Sequence, residues 1–143
     1  MTDDDAPPSV TELVDGLADE DPVRRATAAR ALTKLGSAAG PALPALVQAL
    51  QDPIFLVRAM AAAAIGRQGE AAAGEALDPL VRLLDDPVAP VRFWAVDALG
   101  RMPQAAGDAL DALERRVDDE DQGVRGAATR TVARVRAASP DDA

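Results

Sequence analysis

Cysteine, histidine and tyrosine are all missing from this sequence, and lysine occurs once, as Lys34. Without cysteine no disulfide framework can form, and without cysteine or histidine the usual zinc sites are excluded. A thiol nucleophile, a serine–histidine pair and histidine acid–base catalysis fall by the same absences. Aromatic side chains are scarce and limited to Phe55, Phe93 and Trp94. No apolar run approaches the roughly 18 residues that a membrane span needs. The start, Met1-Thr2-Asp3-Asp4-Asp5, is acidic rather than basic-then-apolar, unlike a secretory leader. The expectation is a cytoplasmic protein with no membrane association.

What is present points to packed helices. Apolar residues make up 48% of the 143 positions, enough to fold, and alanine, leucine and valine dominate them. Such a composition favours helices brought close through small side chains over a β-sandwich, which draws on β-branched and aromatic residues. The formal net charge is −9, from 24 acids against 15 bases. Asp3, Asp4, Asp5, Asp141 and Asp142 place part of that charge at the two ends, leaving a mildly acidic body. A nucleic-acid partner is not expected, since it requires a basic surface.

The chain repeats. Leu13, Leu46, Leu80 and Leu113 recur at intervals of 33, 34 and 33 residues. Leu17, Leu50, Leu84 and Val117 follow four residues later, and Val10, Leu43, Leu77 and Leu110 precede by three. Each trio forms one apolar stripe of an amphipathic helix, the first helix of a hairpin. In the same register lie Asp19, Asp52, Asp86 and Asp119, and six residues on Arg25, Arg58, Arg92 and Arg125. Counted from each Arg, position −1 is Val57, Val91 or Val124 in the last three units. Position +3 is always alanine and position +7 is Leu32, Ile65, Leu99 or Val132. These positions and +10 share a helical face, so a second helix packs on the first, with the alanines allowing close approach. The first unit departs, with Arg24 at −1, and its second helix is expected to begin differently. Asp21-Pro22, Asp52-Pro53 and Asp86-Pro87 mark the turns, while Gly36, Gly69 and Pro103 end second helices. Pro44 and Pro79 are placed near the start of first helices.

Units of 33–34 residues with Asp at the turn, Val-Arg opening the second helix and Ala98-Leu99-Gly100 near its end resemble HEAT repeats, in particular the short type named after phycobilisome lyases. The resemblance covers about residues 10–136. It implies an all-α solenoid of four HEAT-like hairpins, about eight helices, stacked as a right-handed superhelix. The expected repeats are about 10–36, 43–69, 77–103 and 110–136, between disordered tails at 1–9 and 137–143. The ends read as polar caps, with Thr129 and Thr131 replacing apolar residues in the last helix and Thr11, Glu12 and Asp15 exposed in the first. A complete small monomeric protein is the expectation.

Two sets of residues stand out. The ladder Asp19, Arg25, Asp52, Arg58, Asp86, Arg92, Asp119 and Arg125 fits a structural role, each Arg pairing with an Asp of its own or a neighbouring turn. As exposed pairs these would contribute only ~0.2–1 kcal/mol each. Positions +1, +5 and +9 are expected to face outward from the second helices, on the concave side implied by the resemblance. They include Phe93, Asp97, Arg30, Arg130, Lys34, Arg67, Arg101 and Arg134. The +9 column is basic in every unit, which also suits a helix C-terminus. Phe93 replaces Ala or Gly in its column and is a candidate binding anchor or a filler; Trp94 is expected as filler at a seam between repeats.

No catalytic set emerges. Asp85-Asp86 and Asp118-Asp119 lie in polar turns without the apolar burial a general acid requires. Asp19, Glu20 and Asp21 lack the pattern of a calcium loop, and no glycine-rich phosphate loop occurs. Neither metal nor cofactor is expected. The reading is a non-enzymatic scaffold binding a protein or peptide, one with an acidic surface being favoured by the basic column. The alternative, implied by the resemblance alone, is a bilin lyase-like or chromophore-handling protein.

Overall fold

The computed structural model describes residues 6–139, so the parts of the expected tails at 1–5 and 140–143 lie outside the described residues. Four helical hairpins follow one another. α1 (Val10–Gly16) pairs with α2 (Pro22–Leu35), α3 (Leu43–Ala49) with α4 (Phe55–Gln68), α5 (Ala73–Leu83) with α6 (Ala89–Gly100), and α7 (Leu110–Arg116) with α8 (Gln122–Ala138). Short 3-10 turns at Gly36–Ala42, Gly69–Ala72 and Ala105–Ala109 lead from one hairpin to the next. No helix among the described residues is long and apolar enough to cross a membrane.

One device makes all four hairpin corners. The carboxylates of Asp19, Asp52, Asp86 and Asp119 accept the backbone N–H two residues on, from Asp21, Ile54, Val88 and Asp121, at 2.8, 2.9, 3.0 and 2.9 Å. Such a side-chain turn imitates a backbone turn and releases the chain into the second helix. Each second helix then starts three residues before its column Arg, at Pro22, Phe55, Ala89 or Gln122. The first unit therefore keeps the common register despite Arg24, because the Asp corner rather than the valine column sets the start. Asp21 and Asp121 also cap α2 and α8 through the N–H groups of Val23 and Val124.

The ends differ in three places from expectation, one being α8, which runs through Ala138 and so takes in the first two residues of the expected tail at 137–143. α2 and α4 close at Gly36 and Gly69, whose φ values of 56° and 63° suit glycine alone among common residues. α6 stops at Gly100, ahead of Pro103, since a proline already disfavours helix in the residue before it. α5 starts at Ala73, four residues before the expected Leu77, and carries Pro79 inside it.

Leu46, Leu80 and Leu113 of the first helices meet Leu32, Ile65 and Leu99 of the second, all with no exposed surface. Each such side chain contributes about 1.5–3 kcal/mol by leaving water. Val57, Val91 and Val124 complete the same buried face. The second helices form the tighter layer: α2 lies on α4, α4 on α6 and α6 on α8, whereas the first helices touch one another much less. Small residues permit this. A Cβ added to Gly66 would stand 3.0 Å from the Ala98 Cα, and one added to Gly100 would stand 2.7 Å from the Thr131 Oγ1. Thr131 is thus no solvent-facing cap residue. It is buried against Gly100, and its hydroxyl donates to the Val96 carbonyl at 3.3 Å. Thr129 is exposed, as are Thr11, Glu12 and Asp15.

Candidate functional site

Two rows of cations run across the stack, and their surroundings separate them. Along the corner edge, Arg25 Nε donates to Asp52 at 2.8 Å, Arg58 Nε to Asp86 at 2.9 Å and Arg92 Nε to Asp119 at 2.9 Å. A second bond from Nη2 makes each pair bidentate. The remaining Nη1 donates to a carbonyl of the Arg's own corner, at Asp19, Asp52 and Asp86. Each of these three arginines therefore fastens its own turn by the backbone and the next repeat by the carboxylate. Arg125 keeps the backbone bonds to Asp119 and Glu120 and meets no carboxylate among the described residues. Asp19, at the other end, lies 3.7 Å from exposed Arg24.

These pairs are not the exposed ones that the sequence estimate assumes. Side-chain exposure falls from 14% and 9% at Arg25–Asp52 to 6% and 1% at Arg92–Asp119. Burial pushes the Asp119 carboxyl up, but the hydrogen bonds from Arg92 and the Asp121 N–H, with the charges of Arg92 and Arg116, hold it below the ordinary value. Arg92 is raised in turn, chiefly by its hydrogen bond to Asp119. Desolvation raises the cost of breaking such a pair well above that of a surface bridge. Asp85, Asp86, Asp118, Asp119 and Glu120 border one open hollow, together with Arg92, Arg115 and Arg116. The arginines answer the acidic charge, and no acidic cluster among the described residues is arranged to hold a metal ion.

The second row lies on the outer surface of the second-helix layer. Arg30, Lys34, Arg67, Arg101, Arg130 and Arg134 are exposed there. Asp97 is the acid of this stripe, and it accepts from Arg101 Nε at 2.9 Å. The stripe differs from expectation by one position. Ala26 and Ala59 at +1 are 8% and 2% exposed, because a neighbouring second helix covers them. In the first two units the more outward positions are −2, +2 and +9, spaced by about whole helical turns, whereas in the last unit Ala127 at +2 is buried at 3% and Gly126 at +1 is half-buried. Ala63, at +5, is buried as well, at 7%.

The +1 side chain instead enters the gap between its own helix and the next. Between α6 and α8 that side chain is Phe93. It is half-buried and packs on the core, and a Cβ added to Gly123 of α8 would lie 3.9 Å from its Cδ2. Trp94 stands edge-on to it, ring centres 5.1 Å apart at 89°. Between α2 and α4 the same place is held by Ala26, and a groove of about 460 Å³ remains, lined by Val23, Ala26, Thr27, Arg30, Leu56 and Met60. Val23 and Leu56 are 69% and 47% exposed, and Ile54 and Phe55 beside them are exposed too. Sequence reasoning missed this groove. The available signal was Ile54-Phe55-Leu56-Val57, four consecutive apolar residues that one helix face cannot bury together.

A family profile described as HEAT repeats matches residues 10–100 and again 43–133. No curated protein sequence matches the chain significantly. Among solved structures, an engineered protein is similar at 24% identity and a TM-score of 0.77, covering 91% of this chain and 63% of that one. A designed armadillo repeat protein in complex with the peptide (KR)4 is similar at 26% identity and a TM-score of 0.77, covering 88% and 64%. The complex of CpcE and CpcF of phycocyanin lyase from Nostoc sp. PCC7120 contains a chain similar at 27% identity and a TM-score of 0.77, covering 93% and 54%. The chain spans less than two-thirds of the length of each. With the corner ladder, the two-layer stack and the profile match over most of its residues, the chain belongs to the HEAT-repeat family.

Proposed function

We propose that this protein is a non-enzymatic binding scaffold whose second-helix face holds an acidic peptide or an acidic segment of another protein. The observation that carries the reading is the outward stripe. Six cations, Arg30, Lys34, Arg67, Arg101, Arg130 and Arg134, are exposed there against one acid, Asp97, on a chain of net charge −9. Cations suit helix C-termini, which accounts for Lys34, Arg67 and Arg101 but not for Arg30, Arg130 and Arg134, which stand further inside their helices. The tighter packing of the second helices supports placing them on the inner side of a right-handed superhelix, which the monomer offers as its groove. One similar structure holds a basic peptide, (KR)4; the cationic stripe here selects the opposite sign.

Fluorescence anisotropy with fluorescein-labelled octaglutamate tests this. Wild type binds, with an affinity that weakens as salt rises. Arg67→Glu/Arg134→Glu loses about tenfold or more, the scale of 1.4 kcal/mol, while Arg115→Glu on the first-helix side changes little. Equal losses in both variants would reduce the stripe to general electrostatics and defeat the reading. The similarity to a phycocyanin lyase complex favours a second reading, chromophore handling. A shift in the visible spectrum of added bilin would raise that reading above the first.

A further inference from the structure

Exposed large apolar side chains are unevenly spread. Val23, Ile54, Phe55 and Leu56, four of the five exposed large apolar residues among the described residues, stand at the N-terminal ends of α2 and α4. The matching outward −2 positions of α6 and α8 are Pro90 and Gly123. The same pair of helices, α2 and α4, carries the unfilled gap with buried Ala26 and walls from Val23, Thr27, Leu56 and Met60. Arg30 forms part of that lining, and Lys34 and Arg67 are exposed further along the same two helices. An apolar slot of about 460 Å³ is large enough for one large side chain, and its polar border is cationic.

We infer that the α2–α4 groove is a specificity pocket for one large apolar residue, such as Phe or Leu, within an acidic peptide segment. The inference rests on the acidic-partner reading above and adds the residue that anchors it. The apolar side chain enters between Leu56 and Met60 on one wall and Val23 and Thr27 on the other. Carboxylates flanking the anchor meet Arg30, Lys34 and Arg67. The cations supply sign selection and a salt-dependent on-rate, and the groove supplies most of the discrimination between acidic sequences. The C-terminal half cannot offer a second such pocket, because Phe93 occupies the corresponding gap.

Two fluorescein-labelled peptides test it, Glu-Glu-Glu-Phe-Glu-Glu-Glu and the same with Ala for Phe. Burying a phenyl ring favours the first by about tenfold or more with wild type. Leu56→Asn and Met60→Gln change no charge and abolish that preference, leaving the Ala peptide bound as before. Equal affinities for the two peptides, unaffected by Leu56→Asn, would overturn the pocket while leaving the acidic-partner reading intact. Failure of both peptides to bind overturns both. Concentration-dependent dimerisation in sedimentation experiments, lost in Leu56→Asn, would assign the groove to a second copy and also overturn the inference.

Discussion

The gap between α2 and α4 and the gap between α6 and α8 are built from the same repeat columns, yet one is open and the other filled. Ala26 and Phe93 occupy the same position: beside Ala26 a groove remains, walled by Val23 and Leu56, whereas the Phe93 ring lies over Gly123. The corner edges agree with this contrast. Arg92–Asp119, beside the filled gap, is almost fully buried, whereas Arg25–Asp52, beside the open one, retains some exposure. In a stack of equivalent units, a large side chain at a repeat position takes up space that a small one leaves either to the neighbouring helix, as at Ala59, or to a groove, as at Ala26. Phe93 fills the junction between α6 and α8, half-buried on the core with Trp94 edge-on to it.

The strongest way to break the contrast is to remove the buried pair beside the filled gap. Arg92→Ala removes the bidentate partner of buried Asp119 and leaves it only Arg116, at 3.2 Å, and the Asp121 N–H, so it should cost about 3 kcal/mol in urea denaturation. Arg125→Ala, at the ladder's exposed end, should stay within about 0.5 kcal/mol. Emptying the filled gap comes next. Phe93→Ala should cost about 2 kcal/mol, roughly half the loss for a fully buried ring, read as a lower thermal midpoint.

A smaller effect follows from acid. The Asp119 carboxyl titrates below its unfolded value, so its contribution is complete above the ordinary carboxylate range near about pH 3.9 and is lost as pH falls through the folded value. Urea midpoints should decline below about pH 5, and Asp119→Asn, less stable at neutral pH, should show a shallower decline. Smallest is a control away from both gaps. Gly74 lies exposed in α5 with nothing within 4 Å of an added Cβ, so Gly74→Ala should raise stability by about 0.5 kcal/mol without altering peptide binding.

Much of the architecture was legible because the hairpin is a local device repeated four times. The spacing of Leu13, Leu46, Leu80 and Leu113, with Asp and Arg six residues apart, revealed the hairpins, since those residues act within one turn or its neighbour. The pattern did not reveal how deep the Asp–Arg pairs lie, because burial depends on the stacked neighbour. The same limit explains the site. The cationic +9 column was visible as a helical periodicity, but the outward face was set at +1 throughout, whereas in the first two units +1 is buried and +2 is the more exposed. A second helix has neighbours on both sides, and periodicity within one helix does not reveal how far each neighbour covers it. Thr131 was misread for the same reason: a hydroxyl that looks like a cap in the sequence is a buried donor once Gly100 lies against it.

The central claim, that an open gap at Ala26 makes the site, is tested most directly by closing it. Ala26→Phe copies the filled junction onto the open one without changing charge. Anisotropy with the Phe-bearing acidic peptide should show affinity weakened by about tenfold or more in this variant, with an unchanged helical circular-dichroism signal and the Ala peptide bound as by wild type. Undiminished, Phe-selective binding by folded Ala26→Phe would contradict the account.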